Sequence, residues 1–240
     1  MKAVIEITKG CAFHGSCKEI IIAEIYLAPL RNASQRIATR RNASQRNEQK
    51  ELKMRTTYEV KLRSDSPYSQ SKFHNAPKIG KETPGDYEKR NWRKRLHVDG
   101  NGEVFIPPMA LKNCLSEAAK FESIKIPGKS NATYTKHFEA GILIHEPIML
   151  GIKGEDVKGE WLFLNSDGKR GGSKRVMKCY PMIEEWKGTA MIYVFDENIT
   201  GDVLFQHLDI AGQFIGMGRF RPRNNGFYGR FKVVSLEVQK

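Results

Sequence analysis

Residues 200–238 read TGDVLFQHLDIAGQFIGMGRFRPRNNGFYGRFKVVSLEV. The first part has helical spacing: Val203, Leu204, His207, Leu208, Ala211, Phe214 and Ile215 recur on one face, predicting a helix over 202–215. Thr200 stands where an N-cap is needed. His207 falls on the apolar face, so it is expected to be a hydrogen-bonded core residue rather than a ligand. Gly216 and Gly218 end the helix, a polar loop follows, and alternation from about 228 to 238 predicts a last strand.

Upstream of this segment, 57–62 alternates and is rich in strand formers, predicting a first strand. Residues 64–95 are polar and basic, contain Pro67, Pro77 and Pro84, and read as a long loop or insertion. A short hairpin is expected from 96–98 and 103–106 around Gly100-Asn101-Gly102. Pro107-Pro108 opens a helix with Leu111, Cys114, Leu115 and Ala118 on one face, ending near Phe121. After the mostly apolar stretch 138–151, strands are predicted at 161–164 and 189–195. The order strand, helix, strands, strand, helix, strand predicts an α+β fold, a ferredoxin-like (RRM-like) β-α-β-β-α-β core with insertions.

Residues 1–53 differ from the rest. RNASQR occurs at 31–36 and again at 41–46, and between 31 and 53 the large aliphatic residues are Ile37 and Leu52 alone. Such a stretch cannot build a core. Two readings stand: a basic arm or helical linker, or translated upstream sequence ahead of a native start at Met54. The second notes that Lys50-Glu51 can be encoded by AAGGAG, a ribosome-binding sequence. The intact mass of the native product separates them. From 54 to 240 a single folded domain is expected, with its basic insertion at 64–95.

No stretch approaches the roughly 18 apolar residues that span a bilayer, and no signal peptide is evident, so the protein is expected to be cytoplasmic. Cys11, His14 and Cys17 have no common zinc spacing and no second ligand pair. Neither metal nor cofactor is expected. The stronger signal is charge: 40 Lys and Arg against 27 Asp and Glu leave a net charge of +13. That balance favours polyanions, and without a basic amphipathic helix it favours nucleic acid over a membrane.

The 212–231 stretch combines glycines, arginines and aromatics, and holds no acidic residue. Arg219, Arg221, Arg223 and Arg230 offer forks for phosphate, Phe220 and Tyr228 faces for unpaired bases, and Gly216 and Gly218 close backbone approach. Some of the aromatics are expected to be core. Two further basic clusters extend the candidate surface. Lys169, Arg170, Lys174, Arg175 and Lys178 surround Gly171-Gly172 as a flexible loop, while Arg93 and Arg95 flank Trp92.

The run Gly216, Gly218, Arg219, Arg221, Pro222, Gly226, Gly229, Arg230, Phe231 resembles the C-terminal glycine-rich segment of the RAMP superfamily. That superfamily includes the backbone subunits of CRISPR effector complexes, and small phage and prophage proteins have a similar ending. The resemblance covers about 20 residues. It implies a ferredoxin-like core that holds single-stranded RNA or DNA by its phosphate backbone, self-assembly along the strand or docking with other RAMP-like proteins, and a virus- or mobile-element-related origin. RAMP relatives that cut RNA without metal often place a histidine or tyrosine near the bound phosphate. His137 is the weak candidate here, read as an exposed turn histidine without a partner. The leading expectation is therefore a binding protein rather than an enzyme. The alternatives are a metal-independent endoribonuclease and an interaction protein that mimics a CRISPR effector subunit, in the manner of an anti-CRISPR.

Overall fold

The computed structural model describes residues 55–165 and 174–239. The expectations for residues 1–53 lie outside them. Strand β1 (Thr56–Ser64) buries Tyr58, Val60 and Leu62 while Glu59, Lys61 and Arg63 alternate on the other face. A two-residue strand, β2 (Tyr68–Ser69), follows.

The expected loop at 64–95 is in part helical: α1 (Pro84–Asn91) runs into a 3₁₀ turn (Trp92–Arg95). Its start signal is present in the sequence. Thr83 Oγ1 accepts from the Asp86 amide at 3.2 Å, and Pro84 occupies the first turn, where a missing N–H costs nothing.

Next come β3 (Glu103–Ile106), α2 (Pro108–Glu122), α3 (Thr135–Ala140), β4 (Ile142–Leu143), β5 (Ile148–Lys153) and β6 (Lys158–Asn165). The chain closes with β7 (Arg175–Ile183), β8 (Lys187–Val194), α4 (Gly201–Ile210) and β9 (Phe231–Gln239). The predicted 96–106 hairpin survives only as a bridge between Val98 and Val104. Instead β3 pairs with β5, setting Phe105 and Ile106 opposite Met149 and Ile148.

The main sheet has the order β4-β8-β1-β9, with every neighbour antiparallel. Val60 faces Ala190 and Leu236 across it. On α2, Leu111, Cys114, Leu115 and Ala118 are buried as their spacing predicts, and on α4 Leu204, His207 and Leu208 complete the same core. A second sheet, β2-β7-β6, carries a long β6–β7 hairpin. The fold is α+β, built from antiparallel sheets with helices. Among the described residues no helix is long and apolar enough to cross a membrane.

One helical expectation fails for a geometric reason. The last turn of the predicted 202–215 helix is π-helical, Ala211–Ile215. A π turn carries an extra residue, which rotates the following side chains out of phase. Phe214 therefore faces outward and stacks on Phe121, with ring centroids 5.8 Å apart, while Ile215 stays buried.

His207 is a core residue, as expected. Its Nδ1 hydrogen-bonds the Val203 carbonyl at 2.8 Å, its ring stacks on Phe138 at 4.1 Å, and Nε2 has no partner. Burial pulls its pKa below the usual histidine value, outweighing the opposite effects of the Val203 bond and Glu122. His74 and His97 are shifted the same way, also chiefly by burial. The unfolded chain takes up protons near the ordinary histidine pKa of about 6.5 and the folded chain resists. The stability these neutral imidazoles provide is thus present above about pH 6.5 and lost as pH falls below it. Thermal melts from pH 7.5 down to 5 should show a falling Tm, with a shallower fall in His207→Leu. An unchanged slope in that variant would reject His207 as a source.

Candidate nucleic-acid interface

The 216–230 loop is closed by its own backbone. Met217 N–H donates to Gly229 O at 2.9 Å, Tyr228 N–H to Phe220 O at 3.1 Å and Gly226 N–H to Arg221 O at 3.1 Å. Further bonds tie it to β2 and the residues before it, among them Gly229 N–H to Pro67 O at 2.7 Å and Arg219 N–H to Ser69 O at 3.0 Å. A Cβ at Gly226 would lie 1.9 Å from Phe220 O. Close backbone approach is thus made to the chain itself. Gly216 is buried at the end of the π turn, and Gly218 lies against Tyr68. Of the loop aromatics, Phe220 and Phe227 are exposed and Tyr228 is half-buried, while Phe231 is core.

The four arginines have different fates. Arg221 and Arg223 both reach Glu117 on α2, at 2.9 and 3.2 Å. Arg230 donates to the Gln213 carbonyl at 3.1 Å and the Phe227 carbonyl at 3.5 Å. Arg219 makes no ion pair among the described residues. Its guanidinium carbon lies 3.2 Å from the Tyr180 ring centroid and 4.0 Å from that of Phe220, and Nη1 is enclosed without a partner. Burial lowers the Arg219 pKa from its ordinary value, against the pull of Tyr180 and Glu160. An arginine so far above neutrality keeps its charge.

The loop meets the β6–β7 hairpin at this point. Glu160 on β6 stands directly across from Tyr180 on β7, and the Tyr228 hydroxyl donates to Glu160 Oε1 at 2.7 Å. Burial first, and then this bond, push Tyr228 up to about 12. Farther along the hairpin Lys174 and Arg175 are exposed and Lys178 is half-buried. Lys169 and Arg170 lie outside the described residues. The flexible loop expected over 169–178 is strand from Arg175 onward. Pro181 argues locally against a strand but is tolerated: β2 pairs only with Met182 and Ile183, so nothing on that side of β7 asks Pro181 for an N–H.

The third basic cluster is divided: Arg93 is exposed, while Trp92 and Arg95 are engaged within the protein. Trp92 is buried where Gly159 leaves room beside Cys179, and Arg93 stacks over it at 4.3 Å. Arg95 is ion-paired with buried Glu88 and donates to the Cys179 carbonyl at 2.7 Å.

His137 departs from its expectation on both counts: it is helical, in α3, and it is paired. Its Nδ1 contacts the Asp196 carboxylate, which also accepts from the amide and side chain of Asn198 at 2.9 and 2.6 Å. Burial alone would raise the Asp196 pKa, but the hydrogen bonds from Asn198 and His137 outweigh it and hold the carboxyl below its usual range. Asp196 lies just past β8, whose last residue Val194 faces Thr56 at the start of β1. The glycine loop is tied to residues beyond the end of β1. The dyad and the loop are therefore at opposite ends of that strand, on the order of 25 Å apart.

Among the described residues no group of three or more His, Cys, Asp or Glu is placed to hold a metal ion. Burial pushes the Cys114 thiol up and Cys179 to about 11, so neither is an activated nucleophile.

No family model matches the chain, and no curated protein does. Among solved structures, the chain is similar to one from the cryo-EM structure of the type III-B Cmr-beta bound to cognate target RNA. That match has 13% identity and a TM-score of 0.47, covering 96% of this chain and 80% of that one. It is also similar to Cmr6 from Pyrococcus furiosus, with 11% identity and a TM-score of 0.42, covering 75% of this chain and 98% of that one.

Proposed function

We propose that the chain binds single-stranded nucleic acid by its phosphate backbone, along the surface where the glycine loop meets the β6–β7 hairpin. Arg219 carries this reading. An enclosed guanidinium nitrogen with no partner is a cost to the folded protein that an anion would offset, whereas Arg221 and Arg223 share the Glu117 carboxylate and Arg230 is bonded to backbone carbonyls. Exposed Lys174 and Arg175 continue the cationic surface, and exposed Phe220 and Phe227 offer rings for unpaired bases. The strand order β4-β8-β1-β9, with α2 between β1 and β4 and α4 between β8 and β9, supports a ferredoxin-like core. Together with the RAMP-like ending, it supports self-assembly along a strand.

Anisotropy with labelled single-stranded RNA, single-stranded DNA and duplex DNA at two salt concentrations tests this. A single strand should bind more tightly than duplex, with an affinity that falls steeply with salt. Arg219→Ala should flatten the salt slope by about one. Arg221→Ala should do so by less, because Glu117 already holds that charge. Failure to bind any strand, or an Arg219→Ala protein with wild-type binding, would remove the loop from the site.

The His137–Asp196 pair favours a second reading, metal-independent RNA cleavage, since a carboxylate on Nδ1 orients the imidazole for acid-base work. The same RNA, incubated in EDTA and run on a denaturing gel, decides it. This reading expects cleavage that is lost in His137→Ala, and uncut RNA with the wild-type protein ends it.

A further inference from the structure

Between the glycine loop and the β6–β7 hairpin lies a cavity of about 390 Å³, with Glu160, Met182, Phe227 and Tyr228 among its walls. Its size lies at the low end for small-ligand sites and suits one planar heterocycle. Phe227 presents a ring 58% exposed, and its carbonyl is held by Ser66 Oγ at 2.7 Å and Arg230 Nη1 at 3.5 Å. These bonds pin the backbone that carries the ring, so less freedom is lost when something stacks on it.

Glu160 is the unusual wall. Oε1 takes the Tyr228 hydroxyl, but Oε2 is enclosed and has no partner. A carboxylate is acceptor-only, and an enclosed acceptor without a donor carries the full desolvation cost. At the rim, Lys158 pairs with Glu184 at 3.3 Å, while among the walls Glu160 Oε2 is an enclosed carboxylate oxygen still lacking a donor.

We infer that this cavity takes an unpaired guanine, with its ring against Phe227 and, once Glu160 turns its enclosed oxygen to the cavity, its N1–H and 2-amino group donating to that carboxylate. The inference rests on the single-strand reading above. Guanine alone among the bases has two adjacent donors on its Watson–Crick edge, matching the two oxygens of one carboxylate. Adenine and cytosine offer a single amino group beside an acceptor, and uracil or thymine sets carbonyls against the carboxylate. Unpaired bases are read on these edges when they splay out of a strand.

The test uses the full chain and short labelled strands of A and C, as RNA and as DNA, with one central position set to guanine, inosine or adenine. The guanine strand should bind about tenfold tighter than the adenine strand, as for a bidentate base contact. Inosine, which lacks the 2-amino group, should fall between. In Glu160→Gln the ratio of guanine-strand to adenine-strand affinity should fall to about one, whatever the change in overall affinity from losing a carboxylate near Arg219. Equal binding of guanine and adenine strands by the wild-type protein, or a preference that survives Glu160→Gln, would overturn the guanine assignment and leave single-strand binding standing. Binding to none of the strands would overturn both. The inosine comparison needs no variant, so it stands even if Glu160→Gln folds poorly.

Discussion

Gly229→Ala is expected to lower the melting temperature by roughly 10 °C, with a destabilisation of about 3 kcal/mol or more. Gly229 has φ of +77°, where an L side chain is strained, and a Cβ there would lie 1.8 Å from Met217 O. That oxygen is backbone and cannot swing away as a side chain would. Relief requires moving the loop, which breaks the bonds from Gly229 N–H to Pro67 O and from Met217 N–H to Gly229 O. Those bonds hold Arg219 and Phe227 in place, so strand binding should fall in the same variant at temperatures where it remains folded. Gly100→Ala is the control, because a Cβ there meets nothing within 4 Å. It should stay within about 0.5 kcal/mol of wild type. Differential scanning fluorimetry of both variants suffices, and a Gly229→Ala melt matching that of Gly100→Ala would refute the account of the loop.

Glu88→Ala should be at least as damaging, at about 3–5 kcal/mol, because it strands a charge inside the protein. The Glu88 and Arg95 side chains are only 6% and 13% exposed. Glu88 also accepts from the Cys179 amide at 2.9 Å, and Arg95 donates to the Cys179 carbonyl at 2.7 Å. The pair therefore fastens the α1 segment to β7 through both backbone groups of one residue. Removing the carboxylate leaves the guanidinium desolvated and unpaired. Replacing both partners with apolar groups of similar size, Glu88→Leu with Arg95→Met, removes the stranded charge and should recover much of the loss. Urea unfolding of the wild type, Glu88→Leu, Arg95→Met and the double variant gives the coupling directly. Additive effects of the two single changes would show that the ion pair does not hold the segment.

That segment lies within 64–95, read from sequence as a loop. Thr83, Pro84 and Asp86 carried a helix-start signal, but only eight residues of α1 follow, mostly polar, and their spacing shows no apolar stripe. What buries this helix is an ion pair and Trp92, and neither leaves a periodic trace. The start of β7 was read as a basic loop around glycines, and Pro181 farther along that strand is tolerated only because β2 is two residues long. His137 was read as unpaired because Asp196 lies 59 residues away in the chain.

By itself the sequence determined the elements whose cause is local. Alternation marks β1, β-branched and aromatic residues mark β8, 3.6-residue spacing marks α2 and α4, Thr200 caps α4 through the Val203 amide, and glycines mark a loop that must pack on its own backbone. The net charge of +13 is also a property of sequence alone. Only the tertiary structure decided which of those charges remain available to a ligand. Within 212–231 there is no acidic residue, yet Glu117 comes from 106 residues before Arg223 and Glu160 from 68 before Tyr228. Hydrophobic periodicity depends on spacing along one element, so it can be read from the chain. Coulomb and hydrogen-bond energies depend on distance in space, so the partner of each arginine is settled only when the strands and helices are brought together.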